Sequence, residues 1–316
     1  MLKFRILPRP STLAFIREAW KSPSFSLMDW IHGYIYGRWT YLYIGIGKGN
    51  HPLAKVIWPM VSFFQRINRF LPHLTTTSKP TTFSDTYHGK VISVDEAKKL
   101  VTVNREIVID DLEKVIPYTK ARSIILKNPE NIVVLDCPCR LSSPTPCLPL
   151  DVCLIIGEPF ASFVLEHHPH HSRKITEAEA LTIVEQEHKR GHVQHAFFKE
   201  AMLNRFYAIC NCCGCCCGAI NAMKNGTPML ASSGYIATID AELCEGCLAC
   251  VHFCQFQAIA GERNQVVTID DAQCLGCGVC ADKCKNGAIT LPRAPEKGVP
   301  LVVEKLLAGD SCKVRL

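Results

Sequence analysis

Nineteen cysteines occupy 316 positions, and eighteen of them fall into three groups whose spacing suits metal or redox chemistry. Toward the C-terminus, Cys244, Cys247, Cys250 and Cys254 stand in the order Cys-x-x-Cys-x-x-Cys-x-x-x-Cys. Cys274, Cys277, Cys280 and Cys284 repeat that order at an offset of 30 residues. The repeat extends beyond the cysteines: Asp240 aligns with Asp270, Gly246 with Gly276, and Ala258–Ile259 with Ala288–Ile289. An iron–sulfur cubane needs four thiolates around one small object. Three cysteines at two-residue intervals on one tight loop can address three irons, and the fourth must arrive from elsewhere. The residues between them, among them Gly246, Leu248, Gly276 and Val279, are small or apolar. They let backbone amides approach the sulfurs and keep water away. Four Cys-x-x-Cys pairs could also hold two zinc ions. The three-in-a-row spacing and the duplication favour two [4Fe-4S] clusters.

Ten further cysteines lie upstream. Cys137, Cys139, Cys147 and Cys153 form one group, and Cys210, Cys212, Cys213, Cys215, Cys216 and Cys217 the other. Six cysteines in eight residues cannot all fill a core, and adjacent cysteines reach disulfide geometry only with strain. Thiolates so dense repel one another unless a cation neutralises them. The expectation is a metal site, with at least one additional iron–sulfur centre built from both groups. Ten thiols could hold two further cubanes, or one larger non-cubane cluster with spares. An odd cysteine count at metal-ligand spacings favours clusters in a reducing, cytoplasmic compartment over disulfides.

The elements that must position these residues are unevenly legible. Residues 1–80 lack clean periodicity and read as short helices and loops, followed by a Thr-rich link at 75–82. Val91, Val101, Val103, Ile107 and Ile109 suggest short strands around a turn at Asp95–Lys99. Asn131–Leu135 reads as a buried strand that delivers the chain to Cys137 and Cys139. A helix is expected from Glu177 to about Arg190, because Thr176 and Glu179 form a capping-box pattern ahead of an apolar face. A second helix is expected through Ala196–Tyr207, leading into Cys210.

The eight downstream cysteines resemble those of bacterial two-cluster ferredoxins over about 55 residues. That resemblance implies crossed ligation, in which each fourth cysteine serves the other repeat's loop. One cluster would take Cys244, Cys247, Cys250 and Cys284, and the other Cys274, Cys277, Cys280 and Cys254. The family usually places Pro after each fourth cysteine, whereas Gln255 and Lys285 stand there in this chain. Lys285, if close to its cluster, should raise the potential by favouring the more negative reduced state. Over about 130–292 the chain also resembles 4Fe–4S binding proteins of anaerobes. Those carry a Cys-x-Cys-Arg element, here Cys137–Arg140; a Gly-x-Val-x-His element, here Gly191–His195; and a Cys-Asn-Cys-Cys-x-Cys-Cys-Cys element, here Cys210–Cys217. That resemblance implies a redox protein and no particular substrate. The Cys-Cys-Gly triplets at 212–214 and 216–218 also resemble, more distantly, those that hold non-cubane clusters in heterodisulfide-reductase-type subunits. The expected fold is α+β and loop-rich. It divides into a basic, Trp-rich N-terminal extension (1–80), an α/β cysteine-rich cluster-binding domain (81–234), a two-cluster ferredoxin-like domain (235–292) and a C-terminal tail (293–316).

Other residues narrow the function. His188, His192 and His195 would share a face on one continuous helix, but Gly191 interrupts it. His167, His168, His170 and His171 read as a polar loop. Arg140 could neutralise cluster charge, bind a carboxylate or form an ordinary surface pair. No phosphate-cradling loop, dinucleotide fingerprint or serine elbow is present. Residues 1–80 hold eleven Lys and Arg against Glu18 and Asp29, a balance of +9, and all four Trp. This pattern suits a wrapped segment, a docking face for a redox partner, or peripheral contact with the cytoplasmic face of a membrane. The scattered basic residues do not suit nucleic acid. No apolar run is long enough to span a membrane. The reading is an electron-transfer subunit or partner of a larger anaerobic redox complex. The alternative is a reductase with chemistry at an unusual cluster on the 137–217 cysteines. A third reading is a cluster scaffold that holds its upstream cluster transiently.

Overall fold

The computed structural model describes residues 9–22, 26–60, 83–110 and 112–309, together with the backbone of 312–314. The Thr-rich link at 75–82 lies outside the described residues. A nine-stranded sheet forms the centre. Its strands are β1 (Tyr87–Val91), β2 (Ile107–Ile109), β3 (Ile124–Asp136), β4 (Asp151–Glu158), β5 (Ser172–Ile175), β6 (Val193–Lys199), β7 (Arg205–Cys212), β8 (Leu230–Ala231) and a strand at Cys312–Val314. The order runs from Cys312–Val314 through β2, β3, β4, β7, β6 and β1 to β8, with β5 pairing β3 beyond β2. All pairs are antiparallel except β1–β8.

Side-chain alternation along β3 divides two apolar layers. Ile132 and Val134 face one side, and Val133 and Leu135 the other. The first side is covered by the helices Val94–Val101, Glu177–Lys189 and Val303–Ala308. The Thr176 hydroxyl accepts from the Glu179 N–H at 3.2 Å and starts the second of these helices, while the Glu179 carboxylate turns to Arg173 at 2.6 Å and does not complete the expected capping box. The first helix occupies the expected Asp95–Lys99 turn. Ser93 caps it, accepting from the Glu96 N–H at 3.3 Å, and Ala97, Leu100 and Val101 give it a buried face. The expected helix through Ala196–Tyr207 is instead the β6–β7 hairpin. All seven β6 residues are buried, so no polar face marks the strand period.

The other side of the sheet carries the helices Pro10–Trp20, Leu27–Arg38, Thr40–Gly47 and Phe160–His167. Phe15 meets Phe160 and Phe163 edge-on, with centroids 5.9 and 5.5 Å apart. The Tyr36 and Tyr207 hydroxyls share a hydrogen bond of 2.9 Å. The described part of the N-terminal segment is therefore packed onto the sheet. His167 and His168 are buried beneath it rather than looped into solvent. Thr12 Oγ1 lies 3.0 Å from His167 Nε2, and His168 Nε2 reaches the Gly37 carbonyl at 2.6 Å.

The two cysteine repeats form a smaller unit of near-duplicate halves. Thr238–Ile239 pairs with Ile289–Thr290, and Ile259–Ala260 with Thr268–Ile269. Short helices at Ala249–Phe253 and Val279–Lys283 pack together. After this unit the chain returns to the sheet. The Val299 carbonyl accepts from Lys90 Nζ at 2.8 Å, Leu301 and Val303 are buried, and Cys312–Val314 pairs with β2.

Candidate iron–sulfur centres

Register decides which upstream cysteines meet. The β4–β7 pairing aligns Leu154 with Ile209, which sets Cys153 beside Cys210. Cys210 and Cys212, two apart on β7, point to one face. Cys137 follows β3, Cys139 lies in the short helix Pro138–Leu141, and Cys217 is the N-cap residue of the helix Gly218–Lys224. Six thiols close into a ring of side-chain contacts: Cys137 with Cys139, Cys139 with Cys217, Cys217 with Cys212, Cys212 with Cys210, Cys210 with Cys153, and Cys153 with Cys137. The remaining four, Cys147, Cys213, Cys215 and Cys216, have sulfurs all within 4.8 Å of one another. Each Cys-Cys doublet is thus divided. Cys212 and Cys217 enter the ring, while Cys213 and Cys216 enter the tetrad. Both sites draw on both sequence groups.

The ring borders a cavity of about 70 Å³ walled by Tyr36, Tyr87, Phe160, Phe163, Phe197 and Tyr207. Contact with Cys139 and Cys153, with burial added, holds the Cys137 thiol well above its ordinary pKa. Contacts with Cys153 and Cys212 bring Cys210 down to about 7. Six thiols, each against two others and four of them on buried residues, cannot all ionise without a cation among them, so the donor set suits a soft, thiolate-bound metal or iron–sulfur group. Lys48 Nζ, at the C-cap of the helix Thr40–Gly47, donates to the Cys139 carbonyl at 2.6 Å, fixing the first ligand loop.

Arg140 is buried beside the ring, not on the surface. It pairs with Glu187 at 2.5 Å and donates to the Asn211 carbonyl at 3.1 Å. Burial raises the Glu187 pKa, yet the His192 hydrogen bond and Arg140 bring it below the usual carboxylate value overall. The three spaced histidines do not share a helix. The helix stops at Lys189, Gly191 turns at φ +88°, and His192 and His195 continue into β6. Only His188 remains helical, with Nε2 2.5 Å from Asp282 of the second repeat.

In the C-terminal unit, Cys254 lines one cavity with Cys274, Cys277 and Cys280, although it belongs to the first repeat. Its negative form is also among the charges that raise the pKa of Cys277 and Cys280, after burial and nearer thiols. The cavity walls are apolar: Ala237, Phe256, Ile259, Leu275 and Leu291. Four thiols converging in an apolar shell fit an iron–sulfur cubane.

Residues 243–289 match the 4Fe-4S dicluster domain family. The match makes iron–sulfur electron transfer the chemistry of this part of the chain, with an iron–sulfur cofactor. A search of curated proteins returns no match. Among the described residues, no helix is long and apolar enough to cross a membrane.

The dicluster domain is clasped to the upstream site by Gln255, one of the two residues that replace the usual Pro. Its Oε1 accepts from the Gly214 N–H at 2.6 Å, and its Nε2 donates to the Gly191 carbonyl at 2.9 Å. Gly214 lies between tetrad residues Cys213 and Cys215, and Gln255 follows Cys254. His195 also lies at this junction, flanked by Phe197 of the ring cavity and Phe256 of the dicluster cavity. Burial holds it neutral, with a pKa of about 3. Sequence reasoning missed the clasp and the aromatic wall. The Pro-to-Gln departure was the available signal for the clasp.

Proposed function

We propose that this chain carries electrons between an outside redox partner and a centre held by the six-cysteine ring, as a subunit or partner of a larger redox complex. Cys244, Cys247, Cys250 and Cys284 would hold one [4Fe-4S] cluster, and Cys274, Cys277, Cys280 and Cys254 the other. These clusters supply one-electron transfer when bound. The observation that carries the reading is the Gln255 clasp, which joins a dicluster ligand loop directly to the upstream cysteine loop. The chain's own residues otherwise hold and insulate. The aromatic wall and N-terminal helices keep water from the ring, and Arg140 offsets thiolate charge. The test is an anaerobic redox titration followed by EPR. A third signal is expected beside the two dicluster signals, lost in Cys210→Ser while those two persist. A wild-type protein with dicluster signals alone would sink the reading.

A reductase is the second reading, favoured by the aromatic cavity against the ring. It predicts that a small exogenous ligand such as cyanide perturbs the third signal. A pure carrier predicts no perturbation.

The partner face we propose lies on the helix Leu27–Arg38, where Leu27, Met28, Ile31 and Ile35 are exposed, with Trp39 exposed at its C-cap and Trp20 at the end of the preceding helix. Met28→Glu with Ile35→Glu should abolish co-purification with a redox partner while leaving iron content unchanged. Loss of sedimentation with anionic vesicles instead would identify a membrane surface as the occupant.

A further inference from the structure

We propose that Cys147, Cys213, Cys215 and Cys216 form a mononuclear site in which four thiolates hold one tetrahedral divalent cation, zinc or ferrous iron, apart from any cluster on the ring. This goes beyond the electron-transfer reading and does not depend on it.

Distance carries the argument. All four sulfurs lie within 4.8 Å of one another. Cys147 and Cys215 approach to 2.9 Å, and Cys215 and Cys216 to 3.6 Å. Four thiolates on one ion with bonds of about 2.3 Å stand about 3.8 Å apart. A cubane places each thiolate on a different iron, which spreads the four sulfurs across the whole cluster. The tetrad is too contracted for that. Its chain spacing agrees, because three ligands within four residues can turn inward on one ion far more readily than they can encircle a cubane. The donor set is all thiolate, which suits tetrahedral zinc or iron.

The surroundings resemble those of a built site. The Cys147 N–H donates toward the Cys216 sulfur, and such donors orient ligating sulfurs; the Ser143 hydroxyl beside it donates to the Thr145 carbonyl at 3.5 Å. Lys224 Nζ reaches the Gly214 carbonyl at 3.3 Å, setting a positive charge beside what would be a dianionic centre. The Gly214 N–H is held by Gln255.

The site also has a structural task. Cys147 sits in the stretch 142–150, which has no helix or strand to hold it. Its neighbours toward either end, Cys139 and Cys153, belong to the ring. An ion joining Cys147 to the 213–216 loop would close this stretch over the ring and fix the loop on which the dicluster domain rests. It would act as a clamp, and with zinc bound it would hold its charge constant while electrons pass nearby.

The experiment uses the full chain, purified anaerobically and reconstituted, with iron, zinc and acid-labile sulfide counted per chain. Cys215→Ser and Cys147→Ser should each lose one metal ion and no sulfide. Cys215 is exposed, so serine there leaves packing intact. On the unmodified chain, cobalt supplied after zinc chelation should give the ligand-field bands of tetrahedral cobalt thiolate, and Cys215→Ser should lose them. Loss of about four irons with their sulfide would overturn the proposal in favour of a cubane. Unchanged metal content would overturn it outright, as would an anaerobically isolated Cys147–Cys215 disulfide with no ion bound.

Discussion

In the dicluster domain, each loop carries three ligand cysteines within seven residues, and ladders of two residue pairs hold it together. In the sheet domain, ten cysteines are gathered from two strands, two helix starts and two irregular stretches, and they sort into two sites only once nine strands are paired. The first region writes its coordination into local spacing, so it can be recognised as a sequence motif. The second writes it into strand register. One residue of slip in β7 would turn Cys210 and Cys212 away from the ring face. The price of distributed ligands is that ligation and folding become a single event.

The sharpest way to break this contrast is to delete a ligand on each side. Cys284→Ser should remove the signal of the cluster held by Cys244, Cys247 and Cys250, and Cys254→Ser that of the other. Each should cost about four irons, with the sheet domain's thermal transition unmoved. Loss confined to the mutated residue's own loop would refute crossed ligation. Cys153→Ser, by contrast, should lower both iron content and sheet stability.

Next in size is the buried Arg140–Glu187 pair. Arg140→Met leaves the buried Glu187 carboxylate only Arg190 and His192, at 2.9 and 2.7 Å, and should cost about 1.5–3 kcal/mol, read as a shift in the denaturant midpoint. Adding Glu187→Leu should restore most of it. A single variant as stable as wild type would show that the pair bears no weight. Smaller is the junction. A Cβ at Gly214 would stand 2.7 Å from the Gln255 carbonyl oxygen. Gly214→Ala should therefore cost about 1–3 kcal/mol and slow electron exchange between the two regions, with dicluster iron unchanged. An unaltered exchange rate would mean that the clasp is not on the path.

The smallest effect concerns Lys199, buried against Tyr36 and Tyr87 with Nζ 4.1 and 4.5 Å from their ring centres. Burial lowers its pKa from 10.5 to about 7. Between those values the unfolded chain keeps a proton that the folded chain has released, so stability rises with pH from about 7 to about 10. Lys199→Met should flatten that rise and add about 1–2 kcal/mol near pH 7, the tyrosine faces offsetting the rest of the burial cost. Equal slopes in paired melts across this range would count against it.

How much could be read in advance follows the same division. The cysteine repeat and the Thr176-capped helix were legible because each copy's four cysteines, like the cap and its helix, lie within about a dozen residues. The β6–β7 hairpin was not, because a strand buried on both faces shows neither period. The helix after Ser93 was readable from Ser93 and Glu96 as a capping pair, but its brevity made it look like a turn. The split of Cys212 from Cys213, and of Cys216 from Cys217, could not be read at all. Neighbours in sequence part company there because alternate side chains leave the backbone in opposite directions.

The return of the chain to β2 after the dicluster domain has a consequence for the order of synthesis. The partner strand at Cys312–Val314 is made roughly 200 residues after β2, a delay of roughly 10–40 s at ordinary translation rates. Throughout that interval β2 presents an open edge, able to pair with the wrong strand. Every ligand of the ring, the tetrad and the dicluster domain has by then been translated. Synthesis of the ligands thus precedes synthesis of the strand that covers β2.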